Sequence, residues 1–203
     1  VHLSTPRTPA RCELRVRDSR FLATVVPIAS EDDARRERAV LEQNFPDATH
    51  HCWAFRLHAP RGGRERHDDA GEPAGTAGLP ILQAIRGAEV INVLVVVARW
   101  FGGTKLGKGG LARAYRDAAR AALAQAGVVR IVPAQRVRLR GGSALDGEVR
   151  HLVARCGGHV EEASYDESGV ATLTTDLPEA AVDRLREELA HLSRGTWAVE
   201  IDR

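Results

Sequence analysis

The segment Arg99-Trp100-Phe101-Gly102-Gly103-Thr104-Lys105-Leu106-Gly107-Lys108-Gly109-Gly110-Leu111-Ala112-Arg113-Ala114-Tyr115 joins an apolar run to an alanine-rich one. Residues 90–98 read as a buried strand, and residues 110–127 read as a helix. At about 100° per residue, Leu111, Tyr115, Ala118, Ala122 and Ala126 fall on one side of that helix, while Arg113, Arg116 and Arg120 line the other. Small alanines allow close approach to a sheet, so a strand, a glycine loop and a sheet-packed helix form the centre of an α+β protein.

The same segment carries the sharpest chemical signal. Gly102, Gly103, Gly109 and Gly110 let the backbone approach a ligand closely, and unpaired N–H groups at the helix start favour an anion, with Lys105 and Lys108 beside them. Gly102, Gly107 and Lys108 satisfy G-x-x-x-x-G-K, but Gly109 stands where a nucleotide hydrolase needs a magnesium-binding Ser or Thr. Charge follows the same pattern. Residues 1–98 hold 13 basic and 13 acidic side chains, residues 99–127 hold 6 and 1, and residues 128–203 hold 10 and 13. The positive excess therefore lies in Arg99, Lys105, Lys108, Arg113, Arg116 and Arg120, opposed only by Asp117. With the four glycines, these form the candidate nucleic-acid or anion-binding site. A purely structural turn beside an ordinary solvated helix face is the alternative, although like charges at these spacings repel by a few tenths of a kcal/mol.

Upstream, Cys12, Leu14 and Val16 alternate with charged residues as a half-buried strand does, and Asp18-Ser19-Arg20 can turn it into a second strand over 21–27. Ser30 followed by Asp33 is a helix N-cap signature, with Ala34, Leu41 and Phe45 continuing an apolar face up to Pro46. Residues 51–57 read as a strand with His51, Trp53, Phe55 and Leu57 on one face and Cys52, Ala54 and Arg56 on the other. Residues 59–70 read as a surface loop, and a short helix is expected around Ile81, Leu82 and Ile85.

A second chemical segment is Asp68-Asp69-Ala70-Gly71-Glu72-Pro73-Ala74-Gly75-Thr76-Ala77-Gly78. Its carboxylates could bind a metal or act as acid and base, but carboxylates beside turn glycines more often cap local N–H groups. His51, Glu72, Gly75 and Thr76 stand as possible ligand contacts. His50-His51-Cys52 cannot chelate one ion, because successive strand side chains point to opposite faces; one His joined by a loop carboxylate stays open. No nucleophile elbow, HExxH or dinucleotide fingerprint is present, and the sequence implies no cofactor, no metal and no catalytic residue.

Downstream, residues 128–132 form a further strand, and Pro133-Ala134 is the expected domain boundary. The tail orders as strand 136–140, helix 145–156, strands 160–165 and 170–175, helix 178–192 and strand 197–201: a βαββαβ, ferredoxin-like pattern. The expected domains are therefore 1–133 and 134–203. The chain's 203 residues, 43% hydrophobic and 28% charged, fit two small globular domains rather than disorder. No apolar run approaches the roughly 20 residues of a membrane-spanning helix. Residues 1–11 lack an apolar leader core, and Cys12, Cys52 and Cys156 are too few and too scattered for a disulfide framework. A cytoplasmic protein with reduced thiols is expected, without membrane contact or DNA specificity.

Three stretches resemble the IMPACT family, often called the YigZ family in bacteria. They are Ala48-Thr49-His50-His51-Cys52-Trp53-Ala54, Gly71-Glu72-Pro73-Ala74-Gly75-Thr76-Ala77-Gly78, and Arg99-Trp100-Phe101-Gly102-Gly103 with Lys105-Leu106-Gly107 and Gly109 through Tyr115. The likeness covers about residues 18–127, and the tail matches the smaller C-terminal domain of bacterial members more loosely. The family usually runs Asp-Asp-Gly-Glu-Pro, whereas Ala70 here stands between Asp69 and Gly71. The resemblance implies an N-terminal fold like the second domain of a small-subunit ribosomal protein, shared with elongation factor G, and a tail like that factor's domain V. It also implies a function in translation: eukaryotic relatives restrain an amino-acid-starvation kinase by competing for its ribosome-associated activator. Some bacterial relatives carry a proline-dipeptidase label, for which this sequence shows no metal-binding residues.

Three functions follow as expectations. The first is a non-enzymatic translation-associated regulatory protein that contacts RNA or the ribosome through the basic loop and helix. The second is an enzyme or sensor for a phosphorylated small molecule, using Glu72, Asp69 or His51 as acid or base. The third is an interaction module for a translation factor.

Overall fold

A computed structural model describes residues 3–58 and 63–201. Its first elements are β1 (Leu3–Pro6), β2 (Ala10–Val16), β3 (Ser19–Pro27), α1 (Glu31–Asn44), β4 (His50–Leu57), β5 (Arg64–Asp68), α2 (Gly78–Gly87), β6 (Val93–Trp100), α3 (Gly107–Ala126) and β7 (Val128–Ile131). There follow β8 (Ala134–Gly142), a single 3-10 turn (Ser143–Leu145), α4 (Asp146–Arg155), β9 (His159–Tyr165), β10 (Val170–Pro178), α5 (Glu179–Ser193) and β11 (Ala198–Ile201). Two compact units result, Leu3–Ile131 and residues 132–201. The protein is α+β in both.

In the first unit, β6 is the middle of an antiparallel sheet ordered β2-β3-β6-β4-β5. Its run of Val and Leu is apolar on both faces because helices cover both. Val93, Val95 and Val97 join Cys52, Ala54, Phe21 and the inner faces of α2 and α3 in one core. Leu94 and Val96 join Trp53, Phe55, Leu57 and the α1 residues Ala34 and Leu41 in another. The alternation expected for β4 is therefore observed.

Helix α1 starts where its cap chemistry sets it. Ser30 Oγ accepts the Asp33 N–H at 3.0 Å, and Asp33 Oδ2 accepts the N–H of Ala29, the residue before the cap, at 2.9 Å, an arrangement close to a capping box. Helix α3 begins at Gly107, three residues before its expected start, and buries Leu111, Tyr115, Ala118, Ala122 and Ala126 while Arg113, Arg116 and Arg120 face outward.

Two strands escape the apolar pattern. The surface loop expected over 59–70 contains β5, which pairs with β4 from Leu57↔Arg64 to Trp53↔Asp68; residues 59–62 lie outside the described residues. This edge strand has no apolar side chain to signal it, and is held by ion pairs instead. Glu65 meets Arg56 at 3.1 Å and also Arg86, while Glu31 meets Arg64 at 3.2 Å and Arg66 at 3.3 Å. Charge on an edge strand also discourages pairing with other chains. The short β1, paired with β7, is the second.

The second unit follows the βαββαβ order expected from the sequence, with its antiparallel sheet arranged β11-β8-β10-β9. Val149, Leu152 and Val153 of α4 and Val182, Leu185 and Leu189 of α5 close one core with Val137, Leu139, Leu173 and Leu177.

Candidate functional site

The loop between β6 and α3 is pinned to the β2–β3 turn. A Cβ at Gly102 would lie 1.9 Å from the Asp18 carbonyl oxygen, so only glycine fits there. Thr104 Oγ1 donates to Asp18 Oδ2 at 2.5 Å, Arg17 Nη1 donates to the Lys105 carbonyl at 3.2 Å, and the Gly102 N–H reaches Ser19 Oγ at 3.4 Å. Gly103 has φ 96° and Gly107 φ 72°, the left-handed region in which glycine carries no Cβ penalty. Gly109 has open space at its Cα, whereas a Cβ at Gly110 would meet Leu106 Cβ at 3.2 Å. Chain geometry thus accounts for Gly102, Gly103 and Gly107, while Gly109 answers to no internal neighbour.

Arg99 does not join the outward-facing cations. It is buried, with Nη1 2.6 Å from Glu72 Oε1 and Nη2 donating to Ser19 Oγ at 3.2 Å. Tyr115 donates its hydroxyl to the same Glu72 oxygen at 2.8 Å. Residue parity explains the placement, because Arg99 continues the inward face of Val93, Val95 and Val97. Counting charge along the sequence does not register which face a residue occupies. The effect is to tie the β6 end, the Glu72 turn and α3 together through one carboxylate.

The acidic loop is likewise occupied by its own backbone. Asp68 Oδ1 accepts the Ala70 N–H at 2.6 Å. Asp69 Oδ1 accepts the N–H groups of Ala77 and Gly78 at 2.9 and 2.8 Å, capping the start of α2, and its Oδ2 accepts that of Gly75 at 2.8 Å. Partial burial opposes ionisation of Asp69, but the hydrogen bonds from Gly75, Gly78 and Ala77 outweigh it and hold the carboxyl below its ordinary range. Thr76 is buried and donates to the Pro73 carbonyl at 2.6 Å. Gly75 has φ 76° with open space around it.

The sequence groups His51 with Glu72 as an acid or base, but β4 alternation places His51 on the sheet face opposite Cys52 and the Glu72–Tyr115 contact. The histidine on the Glu72 side is His50, whose Nδ1 lies 2.8 Å from the Ala70 carbonyl oxygen. His50 and Tyr115 are the residues that sequence reasoning leaves out. Strand parity signals the first, and the need of a buried phenol for a hydrogen-bond partner signals the second. Cys52 donates to the Asp69 carbonyl at 3.0 Å, and burial pushes its thiol up to about 12, so it is protonated at neutral pH. Among the described residues, no three His, Cys, Asp or Glu side chains converge as metal ligands do.

What remains outward is a cationic surface. Lys105, Lys108, Arg113, Arg116 and Arg120 are all exposed. Arg116 makes one long contact, 3.8 Å to Asp117, and among the described residues the other four make no ion pair. Arg116 and Arg120 also border a groove of about 670 Å³ floored by Ala84, Leu123 and Ala124 between α2 and α3.

The fold and these three motif segments define an α+β protein of one family. The Impact N-terminal domain model matches residues 17–123, and a domain of unknown function, DUF1949, matches residues 144–196. The chain belongs to the IMPACT family. It is 32% identical over 195 residues to IMPACT family member YigZ of Escherichia coli K12, covering 94% of this chain and 93% of that one. It is 37% identical over 187 residues to an IMPACT family member of Thermus thermophilus, covering 91% and 99%. Protein IMPACT of Rattus norvegicus is 32% identical over 93 residues, which are 45% of this chain and 29% of the rat protein. A crystal structure of a hypothetical protein superimposes with TM-score 0.72 at 28% identity, covering 100% of this chain and 98% of that one. No helix among the described residues is long and apolar enough to cross a membrane.

Proposed function

We propose that this protein is a translation-associated regulator that contacts RNA or the ribosome through Lys105, Lys108, Arg113, Arg116 and Arg120, with the chain at Gly102, Gly103, Gly109 and Gly110 close to the bound phosphates. One observation carries the reading. Five exposed cations follow one another along a loop and a helix, and four of them have no acidic partner among the described residues. Unpaired cations on a rigid helix meet a polyanion without first breaking an internal pair. Membership of a family that includes eukaryotic IMPACT proteins supports a role in translation. The reading places the protein in the cytoplasm, with domains over 1–133 and 134–203. In it the first domain resembles the second domain of a small-subunit ribosomal protein, and the second the ferredoxin-like domain V of elongation factor G.

The test is titration of RNA at several salt concentrations. Neutralising five phosphates gives a slope of log K against log salt of about −3.5 to −4.5. The triple variant Arg113→Glu, Arg116→Glu, Arg120→Glu, checked for an unchanged melting temperature, loses most of that binding. RNA binding unaffected by the three substitutions would overturn the proposal.

A further inference from the structure

The cationic loop begins at an aromatic ring that the fold does not bury. Among the described Phe, Tyr and Trp residues of the first unit, Phe101 alone is exposed, at 45%. Single exposed apolar side chains are ordinary on protein surfaces, so exposure alone says little. What distinguishes Phe101 is that its backbone is held on both sides. Its N–H donates to Thr49 Oγ1 at 3.1 Å, and the Thr49 N–H donates to the Arg99 carbonyl at 2.7 Å. Immediately after it, Gly102 is seated against Asp18 with no room even for a Cβ. The Arg99 guanidinium lies 5.4 Å from the ring centroid and is itself held by Glu72. The chain therefore presents this ring from a position it cannot readily leave. A group ordered in advance loses little entropy when a ligand arrives.

The residues that follow set the ligand chemistry. Lys105 and Lys108 stand four and seven positions beyond the ring, both exposed. A flat apolar face next to cations matches a nucleobase attached to its phosphates. It matches a single strand in particular, because in a duplex the base faces are already stacked on one another. Resting on the proposed RNA-binding reading, we infer that Phe101 is a base-stacking residue and that the loop from Phe101 to Lys108 is a site for single-stranded RNA.

The test uses the full chain, with a labelled oligouridine and a blunt RNA duplex of equal length, each titrated at several salt concentrations. Phe101→Ala should weaken oligouridine binding by about 5- to 150-fold, the range for loss of one base–aromatic stack. The loss should be equal at every salt concentration, because no phosphate contact is removed. Phe101→Trp should restore the affinity, and Phe101→Leu should not. Duplex affinity should stay as in the wild type. Lys105→Gln should instead lower the salt slope by about 1. Being exposed, Phe101 can be replaced without loss of the fold, which a melting curve checks directly.

The inference is overturned if Phe101→Ala binds oligouridine as tightly as the wild type, or weakens duplex and single strand alike. It is also overturned if Phe101→Ala leaves RNA binding intact but loses a protein partner that survives nuclease treatment. These outcomes leave the broader reading standing whenever the Arg113, Arg116, Arg120 variant still loses RNA. A wild-type protein that binds neither RNA overturns the inference, and one that also fails to sediment with ribosomes overturns the broader reading as well.

Discussion

Arg99 and Glu72 form a buried ion pair, Nη1 to Oε1 2.6 Å, with side chains only 6% and 3% exposed. The Tyr115 hydroxyl donates to the same oxygen. Two desolvated charges are stable only while they satisfy each other, so removing one is worse than removing both. Glu72→Ala should cost about 3–5 kcal/mol of unfolding free energy. The double change Glu72→Ala with Arg99→Met should cost less than the sum of the single ones. Tyr115→Phe, which removes one donor and leaves the pair, should cost less, about 1.5–3 kcal/mol for a hydrogen bond to a charged group. Urea unfolding of the variants measures all three, and an additive double variant would count against the pair as a single unit.

Gly102 and Gly109 make opposite demands within one loop–helix segment. A side chain at Gly102 would occupy the place of the Asp18 backbone, whereas one at Gly109 meets nothing. Gly102→Ala should destabilise by about 1–3 kcal/mol or more, since the β2–β3 turn must move to admit it. Gly109→Ala should be neutral or stabilising by up to about 1 kcal/mol, because alanine restricts the unfolded chain and favours the first turn of α3. Melting temperatures of the two variants, measured side by side, decide it. Equal destabilisation would mean that the loop is not seated as described.

Much of this arrangement is legible in residue order, and what is not has a physical cause. The two faces of β4 and of α3 follow from periods of 2 and 3.6, because helices on both sides of the sheet demand apolar residues there. The βαββαβ order of the second unit follows similarly from glycine and proline punctuation. Strand β5 is hidden because it is stabilised by Glu65, Arg56, Arg86 and Glu31 rather than by apolar burial, and charge patterns carry no strand period. Arg99 is misplaced by charge counting but not by parity, since it shares the face of Val95 and Val97. Its partner Glu72 is 27 residues away in sequence, a separation no local pattern reports.

Asp69 ties the motif loop to the start of α2, and its chemistry gives the protein a specific sensitivity to acid. Partial burial opposes ionisation, yet the folded carboxyl titrates below the ordinary range because Gly75, Gly78 and Ala77 together donate to the ionised form. A carboxyl depressed by folding adds stability that is complete above its unfolded pKa and is lost as pH falls through its folded one. Asp69→Asn cannot take part in this titration and presents an amide in place of one accepting oxygen. The variant should therefore be less stable than the wild type at pH 7. The gap should narrow as pH falls from the ordinary carboxylate range through the depressed value, because protonation brings the wild type toward the same neutral state. Unfolding free energies of the two proteins measured from neutral to acid pH test this directly. A gap that stayed constant, or widened in acid, would show that the contribution of Asp69 does not depend on its charge.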